Sequence, residues 1–338
     1  MKLQLLATCA LAALACHAAA ATAAPTRMRA AVQTGPDSIE VRTVDTPRPA
    51  AGEVLVRILA AGINPVDHKR LPTERRMPDG SVRAAVPGFD VAGVVDTVGA
   101  GVTTPKVGDA VYARADGAYA EYVAIAATDA VPKPKRLTFV EAAAVPIAGA
   151  AGYGTARDGQ VRAGQRVAII GAAGGAGSAA VDFVHALGAT VVASAHSSQR
   201  AFLEGMGVEE FVAYDKDDVA AKIRDVDVAI NTADSEAAKA LAYVKKGGRL
   251  VSIAGTLPDA QRCAAARVTC VQIRGNGDGL SYPDSLRAIA PIADAGKYRP
   301  RVTKTFALED AAAAQRFAQA GNATGKVVLI VDEAATRR

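Results

Sequence analysis

The chain has 338 residues, which is enough for two domains that each bury a core. Half of its residues (50%) are hydrophobic and 22% are charged, which excludes an intrinsically disordered chain. The net charge is +5, but the basic residues are scattered and aromatics make up only 4%, so we expect no nucleic-acid partner.

The first 23 residues differ from the rest of the chain. One charge at Lys2 is followed by an apolar run from Leu3 to Cys16 and by the small residues Ala21-Thr22-Ala23. This order predicts a signal peptide over residues 1–23. The apolar run is too short for a comfortable transmembrane span. We therefore expect a periplasmic or secreted protein. The alternatives are a cytoplasmic protein whose leader is not used, and lipidation at Cys16.

Short strand-like segments separated by Gly, Pro and Asp occupy residues 28–134, as in Glu53-Val-Leu-Val-Arg-Ile-Leu59. From residue 139 to residue 280, helical patterns alternate with apolar strands. The first helix is predicted from Phe139 to Ala156, and a later one near Ala237. This alternation predicts a parallel sheet. The remainder predicts two helices, from Ser281 and near Ala311, and a strand that begins at Lys326.

A glycine-rich segment, Gly171-Ala-Ala-Gly-Gly-Ala-Gly-Ser178, stands between a buried strand and a helix. Gly174 lets the backbone approach a pyrophosphate, and Gly177 lets the helix pack close to the strand. In this context the segment predicts dinucleotide binding rather than a merely tight turn. The absence of lysine between Gly171 and Arg200 excludes a P-loop. The predicted contacts are Ala173, Gly174, Gly175, Ala176 and Gly177.

The second strand of this unit decides which dinucleotide is expected. An NAD site usually has an acid at the end of that strand, and none stands between Val192 and Arg200. Ser197 and Ser198 offer hydroxyls, and Arg200 can pair with a phosphate, so we expect NADP. The alternative is that the two serines only cap the next helix.

Several segments resemble the medium-chain dehydrogenase/reductase superfamily, most of all its zinc-free quinone oxidoreductase (zeta-crystallin-like) branch. The matching segments are Ala61-Gly-Ile-Asn-Pro-Val-Asp67, Pro87-Gly-Phe-Asp-Val-Ala-Gly-Val-Val-Asp-Thr-Val-Gly99, Val107-Gly-Asp-Ala-Val-Tyr112, Gly117-Ala-Tyr-Ala-Glu-Tyr122, Ala172-Ala-Gly-Gly-Ala-Gly-Ser178, Gly247-Gly-Arg-Leu-Val-Ser252 and Gly325-Lys-Val-Val328. The resemblance implies an α/β fold: a GroES-like β domain (24–137 and 285–338) and a Rossmann-type, doubly wound parallel-sheet domain (138–284). It also implies that NADP binds in the cleft between them.

The zinc ligands of the superfamily's alcohol dehydrogenases are missing here. The matching places read Gly62-Ile-Asn-Pro65 and Pro87-Gly-Phe-Asp90, without Cys or His, and the four-cysteine lobe is absent. We therefore expect no metal, since nothing would polarise an alkoxide.

The resemblance implies roles for individual residues. Asn64 would face the nicotinamide, Ala254 and Gly255 would lie beneath it, and Lys326 would reach the cofactor cleft, unless it is a solvated lysine. Tyr214 would pack by the 2′-phosphate, with a half-buried tyrosine at a strand end as the alternative.

His68 stands where relatives often carry tyrosine. It could donate a proton to a product enolate, since histidine titrates near neutral pH. A purely structural histidine beside Asp67 is the alternative.

The function expected from these features is NADPH-dependent reduction of quinones or α,β-unsaturated carbonyls without metal. The alternative is an exported NADP-binding protein with little turnover, because a cofactor-contacting threonine of the family is replaced at Ala151. The expected partner is a small carbonyl or quinone substrate. The sequence leaves open whether the protein forms a homodimer.

Two cysteines remain after the leader, Cys263 and Cys270. Pairing requires a turn between them, and Ala264-Ala-Ala-Arg267 holds no Gly, Pro, Asn or Asp to favour one. We therefore predict two free thiols.

Overall fold

The computed structural model describes residues 24–35, 38–69, 74–76, 82–234, 236–273, 279–321 and 323–336, with the backbone alone described at 68–69, 74–76 and 82–84. The predicted leader, residues 1–23, lies outside this range. None of the helices in the described part is long and apolar enough to cross a membrane.

The elements are numbered in chain order. The strands are β1 (Arg27–Gly35), β2 (Ser38–Asp45), β3 (Glu53–Ile63), β4 (Glu74–Arg76), β5 (Val82–Ala84), β6 (Asp90–Val98), β7 (Ala110–Arg114), β8 (Tyr122–Ala126), β9 (Val131–Pro132), β10 (Arg166–Ile170), β11 (Thr190–Ala195), β12 (Glu210–Ala213), β13 (Val226–Asn231), β14 (Val244–Ser252), β15 (Thr269–Gln272), β16 (Val302–Ala307) and β17 (Lys326–Ile330). The helices are α1 (Val66–Lys69), α2 (Phe139–Ala143), α3 (Ala148–Asp158), α4 (Gly175–Ala186), α5 (Arg200–Glu204), α6 (Val219–Lys222), α7 (Ala260–Ala266), α8 (Tyr282–Asp294) and α9 (Ala311–Gln319).

The first and last parts of the chain share one seven-stranded sheet. Its order is β16-β17-β3-β6-β7-β9, and β8 also pairs with β3. β17 runs antiparallel to β3, with Ile330 opposite Ala60. The C-terminal segment therefore returns to the β-rich first part of the chain, as the family resemblance implies.

The second large sheet is formed by β10 to β15. All of its strand pairs are parallel, in the order β12-β11-β10-β13-β14-β15. Counted within the sheet this is the order 3-2-1-4-5-6 of the Rossmann fold, in which ligands bind at the carboxyl ends of the strands. The predicted parallel sheet is confirmed.

The two sheets are joined by a continuous core. Leu59 and Tyr112 of the first sheet belong to the same hydrophobic cluster as Val167 and Ile169 of the second. The Tyr112 hydroxyl also donates to the carbonyl of Leu286 in α8, at 2.6 Å. This packing fixes the two sheets relative to one another and so positions the residues between them.

The predicted helix from Phe139 to Ala156 is two helices. Pro146 lies between α2 and α3, where it lacks an N–H and disfavours helical backbone at the residue before it. The break frees the N–H of Ile147, which donates to Asp90 Oδ1 at 2.8 Å. In place of the helix predicted near Ala237, the chain forms a 3₁₀ turn over Lys239–Tyr243.

Cys263 and Cys270 form a disulfide, with their Cα atoms 6.2 Å apart. The prediction of two free thiols is therefore wrong. Helix α7 extends to Ala266, and Arg267 at its C-cap adopts a left-handed conformation, with φ 55°. A non-glycine residue thus makes the turn that the sequence did not signal, and it sends the chain back into β15.

Candidate active site

The glycine-rich segment forms a tight connection between β10 and α4. Gly171 has φ +77°, and the N-cap of α4 is Gly174, where no side chain of the described structure caps the helix. The N–H groups of Gly175, Ala176 and Gly177 form the first turn of α4. An uncapped first turn offers N–H donors and the positive end of the helix dipole to an anion.

The glycines of this connection have different surroundings. A Cβ atom at Gly177 would lie 2.2 Å from Gly171 O, so only glycine lets α4 approach the end of β10 this closely. A Cβ at Gly174 would meet only Gly171 O, at 3.5 Å, so its other side is open. The carbonyl of Ala173 accepts from the N–H of Gly325 at 2.7 Å, which ties the connection to the start of β17.

A short turn after β11 carries two of the predicted phosphate ligands. His196 caps it, and its Nδ1 accepts from the N–H of Ser198 at 3.2 Å. Asp215, which follows β12, accepts from both the N–H and the hydroxyl of Ser197, each at 2.7 Å. Desolvation raises the pKa of Asp215, but hydrogen bonds, chiefly those from Ser197, lower it by more, so that the pKa lies below its ordinary value. A carboxylate therefore lies beside Ser197, although no acid follows β11 in the sequence.

Arg200 and Tyr214 lie near this turn but do not bond to the serines. The Arg200 guanidinium pairs with Glu204 at 3.2 Å and stacks over the Phe211 ring, 4.4 Å from its centroid. Tyr214 is 59% exposed, and its ring centroid lies 5.8 Å from that of His196. The alternative of a half-buried tyrosine at the strand end does not describe this position.

The carboxyl ends of β13 and β14 are held by a buried amide. Asn231 Nδ2 donates to Ser252 Oγ at 2.8 Å and to Ala254 O at 3.0 Å. Gly255 has φ +67°, and a Cβ there would lie 2.2 Å from Asp234 O. Ala254 and Gly255 are thus fixed at the edge of the sheet where Rossmann folds bind their ligands.

Five polar side chains form one hydrogen-bonded group, which we name the buried polar cluster. Its members are Asn64, Asp67, Asp90, Tyr119 and Lys326. Each is at most 5% exposed. Lys326 Nζ donates to Asn64 Oδ1 at 2.6 Å and to Asp90 Oδ2 at 3.2 Å, and its third bond, at 2.6 Å, goes to the carbonyl of Ile63.

The remaining bonds of the cluster hold Asn64 in place. Its Nδ2 donates to Asp90 Oδ2 at 2.9 Å, and its backbone N–H donates to Asp67 Oδ2 at 2.7 Å. The Tyr119 hydroxyl donates to the same Asp67 oxygen at 2.6 Å. Asp67 Oδ1 is buried and has no hydrogen-bond partner among the described residues.

Burial dominates the electrostatics of the cluster. It raises the pKa of Asp67 to about 7, with a further contribution from the charge of Asp90. Burial also raises the pKa of Asp90, against the opposing charge of Lys326. The pKa of Tyr119 lies well above its ordinary value because of burial and the Asp67 carboxylate. One ammonium therefore faces two carboxyls, and burial favours the protonated form of Asp67.

The buried polar cluster is connected to the glycine-rich segment through the stem of Lys326. A Cβ at Gly175 would lie 2.8 Å from Lys326 Cδ, so the lysine stem crosses the start of α4. Its ammonium is buried and satisfied by three acceptors, so it is not a solvated lysine. Lys326 thus joins the uncapped end of α4 to Asn64 and Asp90.

Both family models and individual relatives among known proteins match this chain. Residues 50–135 match the model of the alcohol dehydrogenase GroES-like domain, and residues 206–329 match that of the zinc-binding dehydrogenases. An NADPH-dependent alkenal/one oxidoreductase of Arabidopsis thaliana chloroplasts is 31% identical over 331 residues, 90% of this chain and 80% of the relative. The quinone oxidoreductase of Sus scrofa is 31% identical over 320 residues, 88% of this chain and 95% of the relative.

The chain belongs to the medium-chain dehydrogenase/reductase superfamily. Within it, the chain belongs to the zinc-free quinone oxidoreductase branch. The quinone oxidoreductase structure from Coxiella burnetii superimposes with a TM-score of 0.79 over 90% of this chain and 99% of that one, at 24% identity, which shows the shared fold.

As in other members of the superfamily, a nicotinamide dinucleotide is the expected cofactor, and the residues present fit it. The open side of Gly174 and the uncapped first turn of α4 suit a pyrophosphate. The hydroxyls of Ser197 and Ser198 lie at the end of the second strand, where the adenosine ribose binds in Rossmann folds. Within the described ranges, no three His, Cys, Asp or Glu side chains are grouped as a metal site.

The structure brings some predicted residues together and adds others. Asn64 and Lys326 are hydrogen-bonded, whereas the Arg200 guanidinium contacts Glu204 and Phe211 rather than the two serines. His68 has its backbone in α1, and its side chain lies outside the described residues. The residues that sequence reasoning missed are Asp67, Asp90, Tyr119, Asp215, Asn231 and Ser252. Two signals could have found most of them: Asp67, Asp90, Tyr119 and Ser252 stand in the quoted family segments, and Asn231 and Ser252 end buried strands.

Proposed function

We propose that this protein is an NADPH-dependent oxidoreductase that reduces quinones or α,β-unsaturated carbonyls by hydride transfer without a metal. The observation that carries the proposal is the uncapped, glycine-lined start of α4, joined by Lys326 to the buried polar cluster. The names of relatives at 31% identity, an NADPH-dependent alkenal/one oxidoreductase and a quinone oxidoreductase, support the same activity.

The cofactor would be held along the carboxyl edge of the parallel sheet. The N–H groups at Gly175, Ala176 and Gly177 would bind the pyrophosphate. The loop at Ala254 and Gly255, fixed by Asn231, would support the nicotinamide end, and Asn64, which follows β3 of the other sheet, would face it.

A preference for NADPH is proposed from the turn after β11. The Ser198 hydroxyl and the exposed ring of Tyr214 lie at this turn, whereas the Ser197 hydroxyl donates to Asp215. Arg200 packs on the Phe211 ring and forms an exposed ion pair with Glu204, and such an exposed pair is weak enough to be exchanged for a phosphate. An arginine–phosphate contact is charge-assisted and therefore favours the 2′-phosphorylated cofactor.

The proposed reaction needs little acid–base catalysis from the protein's side chains. When bound, the nicotinamide supplies the hydride that the substrate accepts. The chain contributes a fixed geometry, because Asn64 is held by three cluster partners and cannot reorient without breaking buried hydrogen bonds. We propose that His68 or water protonates the resulting enolate.

The location of the protein is also a proposal. The leader-like sequence of residues 1–23 supports export to the periplasm or beyond the cell. The Cys263–Cys270 disulfide supports it too, because disulfides persist mainly in oxidising compartments. Fractionation with N-terminal sequencing tests this: an intact Met1 in the cytoplasmic fraction would contradict export.

The proposed activity is tested by following the absorbance of NADPH with a panel of quinones and enones, with and without a chelator. We expect turnover with at least one acceptor, equal in both conditions. NADPH binding without turnover on any acceptor would contradict an enzyme, and activity that chelation removes and zinc restores would contradict a metal-free reaction.

A further inference from the structure

A carboxylate occupies the place next to Ser197 that the sequence leaves free of acids. Asp215 accepts two hydrogen bonds from Ser197, at 2.7 Å each, and its Oδ2 lies 3.4 Å from His196 Nε2. It follows β12, the neighbour of β11 in the sheet. The fold therefore places a carboxylate near the end of the second strand, although no acid follows that strand in the sequence.

This position matters because of what binds there in Rossmann folds. An acid at the end of the second strand accepts the ribose 2′-hydroxyl of a non-phosphorylated dinucleotide. A 2′-phosphate at the same place would carry a charge of about −1.5 to −2 and would be repelled by a neighbouring carboxylate. The Asp215 side chain is 22% exposed, so one face of it remains open to such a group.

Two cations of this region, Arg200 and Lys222, pair with other carboxylates rather than with Asp215. Arg200, the predicted phosphate ligand, pairs with Glu204 and packs on Phe211. Lys222 pairs with Asp217, two positions beyond Asp215, at 2.7 Å. Ser197 and His196 are thus the partners that hold Asp215 at this edge.

We infer that Asp215 is a cofactor-selectivity residue: its carboxylate accepts the ribose 2′-hydroxyl of NADH and lowers the affinity for the 2′-phosphate of NADPH. The inference rests on the proposed function. It means that the serine turn and Arg200 favour NADPH while Asp215 limits that preference, so that both cofactors are used. Removing the charge should sharpen the preference for NADPH.

The test uses two fragments that differ at the 2′ position, 2′,5′-ADP and 5′-AMP, whose affinities are measured by calorimetry on the full-length protein. Asp215→Asn keeps an acceptor for Ser197 and removes the charge. We expect it to tighten 2′,5′-ADP binding about tenfold, while 5′-AMP binding changes less than twofold, on the order set by a dianion beside a carboxylate in water. Asp215→Ala should in addition weaken 5′-AMP severalfold, since the acceptor is lost.

Asp218→Asn is the matched control. It removes one charge three positions away, and asparagine still caps α6, where Asp218 now accepts from Ala221 N at 3.1 Å. We expect it to leave the ratio of the two affinities unchanged. An Asp215→Asn variant that shifts both fragments equally, or neither, would overturn the inference alone. Failure of both fragments to bind the wild-type protein would contradict the proposed function and the inference together.

Discussion

Replacing Asp67 with asparagine should stabilise the protein at pH 8 more than at pH 5. Asp67 is fully buried, and one of its oxygens accepts from the Asn64 N–H and the Tyr119 hydroxyl. The Oδ1 atom of asparagine can accept both of these hydrogen bonds. The side chain is nearly the same size, so the substitution removes the charge and preserves the packing.

The magnitude follows from the shift of one carboxyl. Burial raises the pKa of Asp67 in the folded protein from 3.8 to about 7. Between these values the folded protein holds a proton that the unfolded chain has lost, so stability falls as the pH rises through this window. Each pKa unit corresponds to about 1.4 kcal/mol, so about 4 kcal/mol is lost in all, of which about 2–3 kcal/mol is lost between pH 5 and pH 8.

Urea unfolding of wild type and Asp67→Asn at both pH values measures the effect. The free energy of unfolding of the variant relative to wild type should rise by about 2–3 kcal/mol from pH 5 to pH 8. Asp218→Asn, at an exposed helix cap, should show no such change. A difference between Asp67→Asn and wild type that is constant with pH, or that reverses sign, would refute the raised pKa of Asp67 in the folded protein.

Three further expectations concern single features of the fold. Gly177→Ala should lower the melting temperature because its Cβ would meet Gly171 O at 2.2 Å, whereas Gly174→Ala should fold normally and lose dinucleotide affinity; equal melting temperatures would contradict the packing. Unreduced protein produced without residues 1–23 should show no reactive thiol in denaturant, and replacing both Cys263 and Cys270 with serine should cost about 2–3 kcal/mol of stability at most. Arg200→Ala should weaken NADPH binding about tenfold and leave NADH binding unchanged; an equal loss for both cofactors would exclude a phosphate contact.

Features that depend on neighbouring residues could be read from the sequence. The strand, glycine-rich turn and helix at the phosphate-binding segment are local features. Glycine at positions 174 and 177 can be explained directly, because a side chain there would block a ligand or the close packing of the helix. The alternation of apolar strands and helices likewise predicts the parallel sheet, because the buried strands of such sheets are continuous hydrophobic runs.

Features that join distant residues could not be read in this way. Asp90 and Lys326 are 236 positions apart, and Ser197 and Asp215 are 18 apart and follow neighbouring strands, so their pairing emerges only when the sheets form. The disulfide was missed because its turn uses Arg267 in a left-handed conformation, which no residue preference signals. Pro146 marks the break between α2 and α3 in the sequence, but the helical pattern on both sides of it favoured one continuous helix.

Transfer of hydrogen from cofactor to substrate tests the central claim most directly. The protein is incubated with an α,β-unsaturated ketone and NADPH that carries deuterium in one or the other of the two C4 positions. We predict a saturated ketone with one deuterium at the β carbon, from only one of the two labelled cofactors. Product without deuterium at that carbon, or no product with any quinone or enone, would contradict a hydride-transferring reductase.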